Sequence, residues 1–465
     1  MMTNQNAVVV GFDLDFLIEP ICQLEANNII NVTKWIVGGD DTNVVHENKI
    51  WWWDIVFNIK YSQSNRFLTD EELNYLLPKF AIFQQHIVRE KIFELYSIQE
   101  IQNIIFKFIY YFKNLILSKN VNIVIFSDVP HGAYPLIFYY VAKMLNINTI
   151  FCMPSFWIGK TFIYHDLEDI GKFEIKSDKK LYLEQTFQKN LPYMKKFSLK
   201  DKIKKKTKII WNFKQTIDEK LYDLRKNKKI YGNLEKYLLM HTERAVKRYI
   251  ENNDYRKNYK RYFNDKIIND EKFVYFPLHL QPEMTTDTLG GIYYDQLLAI
   301  EKLRKIIPDN WYIYIKENPK QTAYMRGNGF FERLTQIKNV RLLNKDVNTY
   351  DIMKKCQFVA TITGTAGWEA ITGGKPALVF GLAWYRYMSG VSLYHDNINI
   401  NTIIKQKINF DLIMKSAYSL YNLAYDFVIN DYQKNNKEDY NYQNNIIKIT
   451  EGLLKEVKIL EKCGE

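Results

Sequence analysis

Short apolar runs alternate with longer amphipathic stretches along the first part of the chain. The amphipathic stretches, of which Asp70 to Leu117 is the longest, repeat apolar residues at intervals of three and four, which is typical of helices with one buried face. The apolar runs predict strands at Ala7–Gly11, Ile29–Val37, Val121–Phe126 and Asn148–Met153. Strands that alternate with helices in this way indicate a parallel, doubly wound sheet.

The second part of the chain repeats this pattern more regularly. Strands are predicted at Phe273–Leu278, Trp311–Ile315, Val340–Leu343, Phe358–Ile362 and Ala377–Phe380. Four helical stretches separate them, so we expect a second Rossmann-like domain of five strands and four helices. The tail from Phe410 onward has a helical pattern, and we expect it to cross back to the first domain.

The length of 465 residues exceeds what one hydrophobic core usually organises, which favours two domains. We predict an α/β fold with an N-terminal domain at 1–190, a basic helical linker at 191–268, a second domain at 269–400 and C-terminal helices at 401–465. Open parallel sheets bind ligands at the carboxyl ends of their strands. Two such domains would therefore face each other across a cleft lined by the loops that follow strands.

Positive charge is concentrated in one segment. The formal net charge is +12, and residues 191–230 hold 14 Lys/Arg against 4 Asp/Glu. Such a run is either a solvated helical face or a surface attracted to anionic lipid headgroups. No nucleic-acid module accompanies the charge, so we do not expect a nucleic-acid partner.

Cysteine usage and hydropathy bear on the compartment. The four cysteines, Cys22, Cys152, Cys356 and Cys463, are scattered without a CxxC pair, which argues for a reducing compartment and against a metal site. No apolar run approaches the roughly 20 residues of a membrane span, and the amino terminus offers no secretory signal. We expect a cytoplasmic protein that is able to lie on the inner face of the cell membrane.

The most distinctive motif joins a predicted strand to a helix and runs from Thr363 through Gly364 and Thr365 to Glu369. Small residues let the backbone approach a ligand, and free N–H groups at a helix start bind phosphate. If Thr365 is the N-cap, Glu369 lies one place beyond the capping-box position, so it is available to bind a ribose diol. An ordinary strand-to-helix turn is the alternative.

Three further strand ends carry polar clusters. Lys316, Asn318 and Pro319 end one strand, where a lysine could neutralise phosphate, although a simple charged turn explains them too. His279, Gln281 and Glu283 end another: His279 is a candidate catalytic residue, and Gln281 and Glu283 are candidate substrate ligands. A structural role is the alternative for His279.

The first domain offers Asp128 and His131 after a buried strand. A group transfer to a hydroxyl needs a base or a carboxylate nucleophile, and Asp128 could serve as either, with His131 as its polar neighbour. An Asx-type turn accounts for the same residues.

The ordered motifs of the second half resemble the capsule polysaccharide biosynthesis family. The resemblance covers Phe276 to Gly381 and rests on the segments Phe276–Glu283, Tyr294–Gln296, Lys316–Pro319, Thr363–Thr365 and Trp368–Ala370. It implies a GT-B fold and a transferase that uses a CMP-activated ulosonic acid such as Kdo. It also implies no metal and no cofactor apart from that nucleotide-sugar donor.

By position, the resemblance implies contacts from Lys316 and the Asn318–Pro319 pair to the CMP phosphate. The segment Thr363–Thr365 would bind the same phosphate, and Glu369 would bind ribose. Such transferases usually have His-Pro where this chain has Asn318-Pro319, and Asn cannot carry a proton. We therefore expect no protonation of the leaving phosphate by Asn318.

The sequence leaves three hypotheses. The first is a transferase of ulosonic or nonulosonic acid from a CMP-linked donor to a saccharide or a lipid-linked acceptor. The second is a CDP-polyol phosphotransferase of the teichoic-acid type, and the third is a non-catalytic scaffold of capsule assembly. Turnover and binding of different nucleotides distinguish them.

Overall fold

The structure, a computed structural model, describes residues 4–39, 42–57, 67–90, 93–187 and 234–463. Its strands form two six-stranded sheets, each wrapped by helices. The first sheet contains β1 (Gln5–Val10), β2 (Ile30–Val37), β3 (Lys49–Trp51), β4 (Ile123–Phe126), β5 (Asn148–Pro154) and β6 (Thr161–Tyr164). The second contains β7 (Phe273–Pro277), β8 (Tyr312–Lys316), β9 (Val340–Leu343), β10 (Val359–Thr361), β11 (Ala377–Val379) and β12 (Val391–Leu393). The predicted α/β fold with two Rossmann-type domains is confirmed, and we call the parts that carry the two sheets the first and the second domain.

Sixteen α-helices are present in the described residues. Those of the first domain are α1 (Asp15–Ala26), α2 (Trp52–Phe57), α3 (Asp70–Leu76), α4 (Phe80–Arg89), α5 (Ile98–Ser118) and α6 (Ala133–Met144). They are followed by α7 (Leu234–Tyr262), α8 (Met284–Asp287), α9 (Gln296–Ile306), α10 (Asn328–Gln336), α11 (Thr349–Lys355) and α12 (Thr365–Thr372). The last four are α13 (Ile400–Ile404), α14 (Phe410–Leu423), α15 (Asp431–Asn436) and α16 (Tyr442–Cys463). Short 3₁₀ helices occur at Leu77–Lys79, Leu167–Asp169 and Gly291–Tyr294.

The first sheet has the strand order β3-β2-β1-β4-β5-β6. All neighbours are parallel except β6, which runs antiparallel to β5. Because the chain reverses its direction of progress between β1 and β4, a crevice forms at the carboxyl ends of these two central strands. The sequence predicted four strands here and missed β3 and β6. Both are short edge strands of three or four residues and are only partly buried.

The second sheet has the order β12-β11-β10-β7-β8-β9, with every neighbouring pair parallel. The prediction of five strands is wrong by one, because β12 pairs with β11 through three residues at the sheet edge. The central strands carry fully buried apolar residues such as Val274, Ile313 and Ala360, as expected for a sheet covered on both faces. The loops after β7, β8 and β10 therefore emerge side by side at one edge.

The C-terminal helices contact the first domain, as the tail was predicted to do. Helix α16 packs along α1, and the Thr450 hydroxyl donates to Gln23 Oε1 over 2.9 Å. Tyr425 and Thr161 form an antiparallel bridge beside β6. The tail thus fastens the end of the chain to the first sheet.

In the predicted linker at 191–268, the structure describes helix α7 at Leu234–Tyr262, and the basic run 191–230 lies outside the described residues. Within the residues that the structure describes, no helix combines the length and the apolar character needed to cross a membrane.

Candidate active site

The loop after β10 approaches the start of α12 in an extended conformation. Gly364, not Thr365, is the N-cap, and Thr365 is the first helical residue. Glu369 is therefore five places from the cap, which also separates it from a capping role. The Gly364 cap contributes no side-chain bond, so the N–H groups of the first turn point out of the helix end without a capping side chain. The arrangement suits an anion.

His279, which was predicted to be catalytic, lies beneath this loop. Its Nε2 accepts from the Ile362 N–H over 3.2 Å and lies 2.8 Å from the Thr361 hydroxyl. An N–H can only donate, so Nε2 carries no proton and the neutral ring is protonated on Nδ1. Burial, assisted by Arg326, lowers the pKa of His279 to about 4. These hydrogen bonds hold the loop after β10 in place, which is a structural role for His279.

Two other groups hold the same loop. The Thr363 hydroxyl donates to the Thr285 carbonyl over 2.7 Å, so it is engaged within the second domain. The Tyr385 hydroxyl donates to the Gly364 carbonyl and lies against Gly367, where a Cβ would come within 2.3 Å of it. Of the predicted phosphate ligands at the helix start, Gly364 and Thr365 are half-buried, and the Gly364 N–H donates to the Thr361 hydroxyl over 3.2 Å. Glu369 is buried at 9% exposure on α12.

The loop after β8 lies at the same sheet edge, with β7 between it and the loop after β10. Lys316 Nζ donates to the Val347 carbonyl and to the Thr349 hydroxyl, both of which follow β9. The amine therefore extends away from β10. Asn318 Oδ1 accepts from Lys320 N over 3.0 Å, which makes an Asx turn around the exposed Pro319.

A buried ion pair, missed by the sequence reasoning, anchors this loop. Arg326 Nε donates to Glu317 Oε2 over 2.8 Å, and both side chains are almost fully buried. The same guanidinium donates to the His279 carbonyl and to Gln281 Oε1. Arg326 follows no strand and belongs to no motif, so no local pattern identifies it. The pair joins the loops after β7 and β8 into one unit.

Gln281 is buried and fully engaged within the second domain. Its amide nitrogen donates to Asp287 Oδ1 over 3.0 Å and to the Tyr294 carbonyl over 2.7 Å. It therefore orders the loop, whereas a role in contacting substrate stays a prediction. Glu283 has an exposed side chain, and partial desolvation raises the pKa of its carboxyl, although the nearby Lys320 opposes that rise.

In the first domain, Asp128 and His131 are held by the peptide groups of Val129. Asp128 Oδ1 accepts from Val129 N over 2.7 Å, and His131 Nδ1 donates to the Val129 carbonyl over 2.7 Å. The neutral His131 ring then has its lone pair on Nε2. Burial raises the pKa of Asp128, while the adjacent His131 opposes that rise. The pair combines a poorly hydrated carboxyl with a basic ring nitrogen.

Side chains at the end of α4, which the sequence reasoning did not consider, connect the two domains. His86 Nε2 lies 3.2 Å from the Thr288 hydroxyl, and Arg89 Nη1 lies 3.3 Å from Asp287 Oδ2. Glu90, the residue after α4, approaches the Asp128–His131 loop, because a Cβ at Gly132 would lie 4.0 Å from Glu90 Oε1. The end of α4 thus adjoins both that loop and the C-terminal end of α8.

The segment that follows α8 packs against the loop after β10. A Cβ at Gly290 would come within 3.0 Å of the Ile362 side chain, and one at Gly381 would come within 2.9 Å of Thr363 Cγ2. Contacts therefore run from the end of α4 through His86 and Thr288 to the loop that leads to Gly364. Among the described residues, no group of three or more His, Cys, Asp or Glu side chains is arranged to hold a metal ion.

Comparison with known proteins places this chain in a family. Residues 177–430 match the family described as capsule polysaccharide biosynthesis protein, which is more than half of the chain. The capsule polysaccharide modification protein LipA of Neisseria meningitidis serogroup B is 29% identical over 111 residues, which are 23% of this chain and 16% of LipA. LipA of serogroup A is 33% identical over 73 residues, 16% of this chain and 10% of that protein. The chain thus matches less than a fifth of the length of these relatives.

Solved structures show looser likenesses. The β-Kdo 2,7 transferase of Thermosulfurimonas dismutans KpsC is 14% identical, with 80% of this chain and 95% of that chain covered and a TM-score of 0.30. The UDP-GlcNAc 2-epimerase of Methanocaldococcus jannaschii is 11% identical, with 89% and 98% covered and a TM-score of 0.25. Likenesses at these scores say nothing about activity. The family match covers the second sheet and the loops built on it, and we conclude that this chain belongs to the capsule polysaccharide biosynthesis family.

Proposed function

We propose that this protein is a glycosyltransferase that moves an ulosonic or nonulosonic acid sugar from a CMP-linked donor to a saccharide or a lipid-linked acceptor. Family membership supports a role in capsule assembly. The observation that carries the proposal is the set of polar contacts between the end of α4 in the first domain and α8 in the second. It supports a site in which a carboxyl of raised pKa, Asp128, acts together with a helix start suited to phosphate.

The donor phosphate binds at the start of α12. Backbone N–H groups and the positive end of the helix dipole favour an anion there, and Gly364 admits it closely. The Thr365 hydroxyl adds a donor, and Glu369 would meet the ribose. Lys316 would have to leave Val347 and Thr349 to join them, so we assign the principal phosphate contacts to Thr365, with Gly364 allowing close approach.

Asp128 acts on the sugar. As a base it takes the proton of the acceptor hydroxyl while CMP leaves, and as a nucleophile it first forms a glycosyl ester that the acceptor then displaces. When its ring is protonated, His131 favours the ionised form of Asp128 in either case, because the imidazolium charge opposes the effect of burial. Mass spectrometry of the enzyme quenched with donor alone distinguishes the two, since only the nucleophile adds the sugar mass to a peptide containing Asp128.

Nucleotide binding and donor turnover test the proposal. We expect calorimetry to rank CMP above UDP and GDP, and we expect CMP release from a CMP-ulosonate in the presence of acceptor. A preference for UDP or GDP would overturn it. Turnover of a CDP-polyol instead of a CMP-sugar would establish the phosphotransferase alternative.

The reaction is proposed to occur at an anionic membrane surface. The 14 Lys/Arg against 4 Asp/Glu at 191–230 support this, since each basic residue near such a surface contributes about 1 kcal/mol. Co-sedimentation with phosphatidylglycerol vesicles, but not with phosphatidylcholine vesicles, is expected at low salt. Equal binding to both would exclude an electrostatic attraction.

A further inference from the structure

The last turn of α4 in the first domain meets the C-terminal end of α8 in the second domain through four polar side chains. These are His86 and Arg89 on one side and Asp287 and Thr288 on the other. We call them the interdomain clasp. His86 and Asp287 are fully buried, and the side chain of Arg89 is 15% exposed to solvent. Polar groups buried to this extent are costly unless they are paired.

The hydrogen-bond directions across the clasp are determined by chemistry. Arg89 Nη1 lies 3.1 Å from His86 Nδ1, and a guanidinium only donates, so Nδ1 accepts. The proton of the neutral ring is then on Nε2, which donates to the Thr288 hydroxyl over 3.2 Å. The hydrogen bond from Arg89 therefore fixes the tautomer and orientation of His86, and so the hydrogen bond that His86 makes to Thr288 of the second domain.

Arg89 also makes an ion pair with Asp287. The distance of 3.3 Å joins Arg89 Nη1 to Asp287 Oδ2, an oxygen that makes no hydrogen bond of good geometry to the described residues. The buried Gln85 side chain lies beside it and interacts with both Asp287 and Tyr324.

On its other side, the clasp is attached to the loops that form the proposed phosphate site. Asp287 Oδ1 accepts from Gln281, which Arg326 ties to the loop after β8. The neighbouring Thr285 carbonyl accepts from Thr363 in the loop after β10. Movement of α8 therefore moves the loops after β7, β8 and β10 together.

From this geometry we propose that Arg89 and His86 are positioning residues, which hold the Asp128–His131 loop against the phosphate loop by pairing with Asp287 and Thr288. The proposal rests on the proposed function, because it assigns the alignment of that same site. None of the four side chains needs to contact the donor. A purely stabilising role would instead make these residues matter for unfolding and not for the chemical step.

Turnover of clasp variants distinguishes these roles. For Arg89→Met we expect kcat to fall about 10- to 100-fold, as for a misplaced catalytic group, while the CMP dissociation constant changes less than about threefold. Arg89→Met combined with Asp287→Asn should be no worse than the more damaging single variant, because both remove one interaction. Thr288→Val removes only the hydrogen bond to His86, and it should lower kcat by a smaller factor than Arg89→Met. Arg333→Met, which removes an ion pair within the second domain, is the matched control and should leave kcat unchanged.

A distance measurement tests the clasp without reference to activity. Spin labels at Glu71→Cys and Glu332→Cys, both exposed and in different domains, are placed in a chain with Cys22→Ser and Cys463→Ser, since Cys152 and Cys356 are buried. Double electron–electron resonance should give one narrow distance distribution that broadens with Arg89→Met. An unchanged distribution, or a kcat that survives while only the melting temperature falls, overturns the proposal. If no donor is turned over but the distribution broadens, the proposed function fails and the clasp stands.

Discussion

Gly364 lies directly over the imidazole ring of His279. A Cβ at Gly364 would come within 2.9 Å of His279 Cε1 and within 2.9 Å of Thr361 Oγ1. Neither neighbour can move away easily. The His279 ring and the Thr361 hydroxyl are hydrogen-bonded to each other, and the ring also accepts a hydrogen bond from Ile362 N. The position of His279 therefore fixes the position of the backbone at Gly364, where the proposed phosphate would bind.

Gly364→Ala is expected to weaken CMP binding at least about tenfold, because overpacking costs about 1–3 kcal/mol and displaces the loop. Calorimetry measures the affinity. Gly327→Ala is the matched control, since Gly327 is also a helix N-cap and a Cβ there meets nothing within 4 Å. Equal affinities for both variants would contradict a phosphate site at Gly364.

Asp128→Asn is expected to reduce kcat/KM at least about 100-fold, because the amide cannot accept a proton or attack the sugar. The isosteric change keeps the oxygen that accepts from Val129 N, so folding should persist. Asp309→Asn, at an exposed loop position, serves as the control. Full activity of Asp128→Asn would favour the scaffold hypothesis.

The pH profile should reflect the raised pKa of Asp128. Because the carboxylate is the active form, kcat/KM should rise with pH along an acidic limb that lies above the ordinary aspartate range. In His131→Asn that limb should move to higher pH, since the positive charge that opposes the rise is lost. A limb that moves to lower pH would exclude this pairing.

Two buried histidines should make stability depend on pH. Burial lowers the pKa of His279 to about 4 and of His86 to about 3, so both stay neutral in the folded state while the unfolded chain takes up protons below pH 6.5. The unfolded state then binds more protons, and the free energy of unfolding falls as pH decreases from 6.5 towards 4, by about 1.4 kcal/mol per pH unit for each histidine. Urea denaturation of His279→Gln should show a shallower slope, whereas the exposed His395→Gln should not.

The Glu317–Arg326 pair should be sensitive to loss of one partner. Arg326→Met leaves a buried carboxylate without its cation, for which the expected cost is about 3–5 kcal/mol in the free energy of unfolding. Adding Glu317→Gln should recover part of that loss, because the unpaired charge is removed. Denaturation by urea measures both. Lys302→Met, in a solvent-exposed ion pair with Asp396, is the control and should show little change.

Much of the fold was accessible from the sequence because its central strands are apolar and buried on both faces. Strands such as β1 and β8 appear as apolar runs bounded by polar residues, and Asp128 and Thr363 were correctly expected just beyond strand ends, whereas Lys316 is the last residue of β8. The edge strands β3, β6 and β12 were missed because they are only partly buried, unlike the equally short β10 and β11. His279 was expected in the cleft, but it is buried beneath the loop after β10. The sequence does not distinguish the two positions, because a polar residue after a strand looks the same whether it faces solvent or lies beneath a loop.

By itself the sequence determined the order of strands and helices and the placement of polar residues after strands, because hydrophobic periodicity is a local property of the chain. Only the tertiary structure decided which of those residues meet. His86 and Thr288 are 202 positions apart, and His279 and Thr361 are 82 apart. Such pairs form because a buried polar group is cut off from water and must find its partners among neighbouring groups, and those neighbours are present only once the two sheets and their loops are folded.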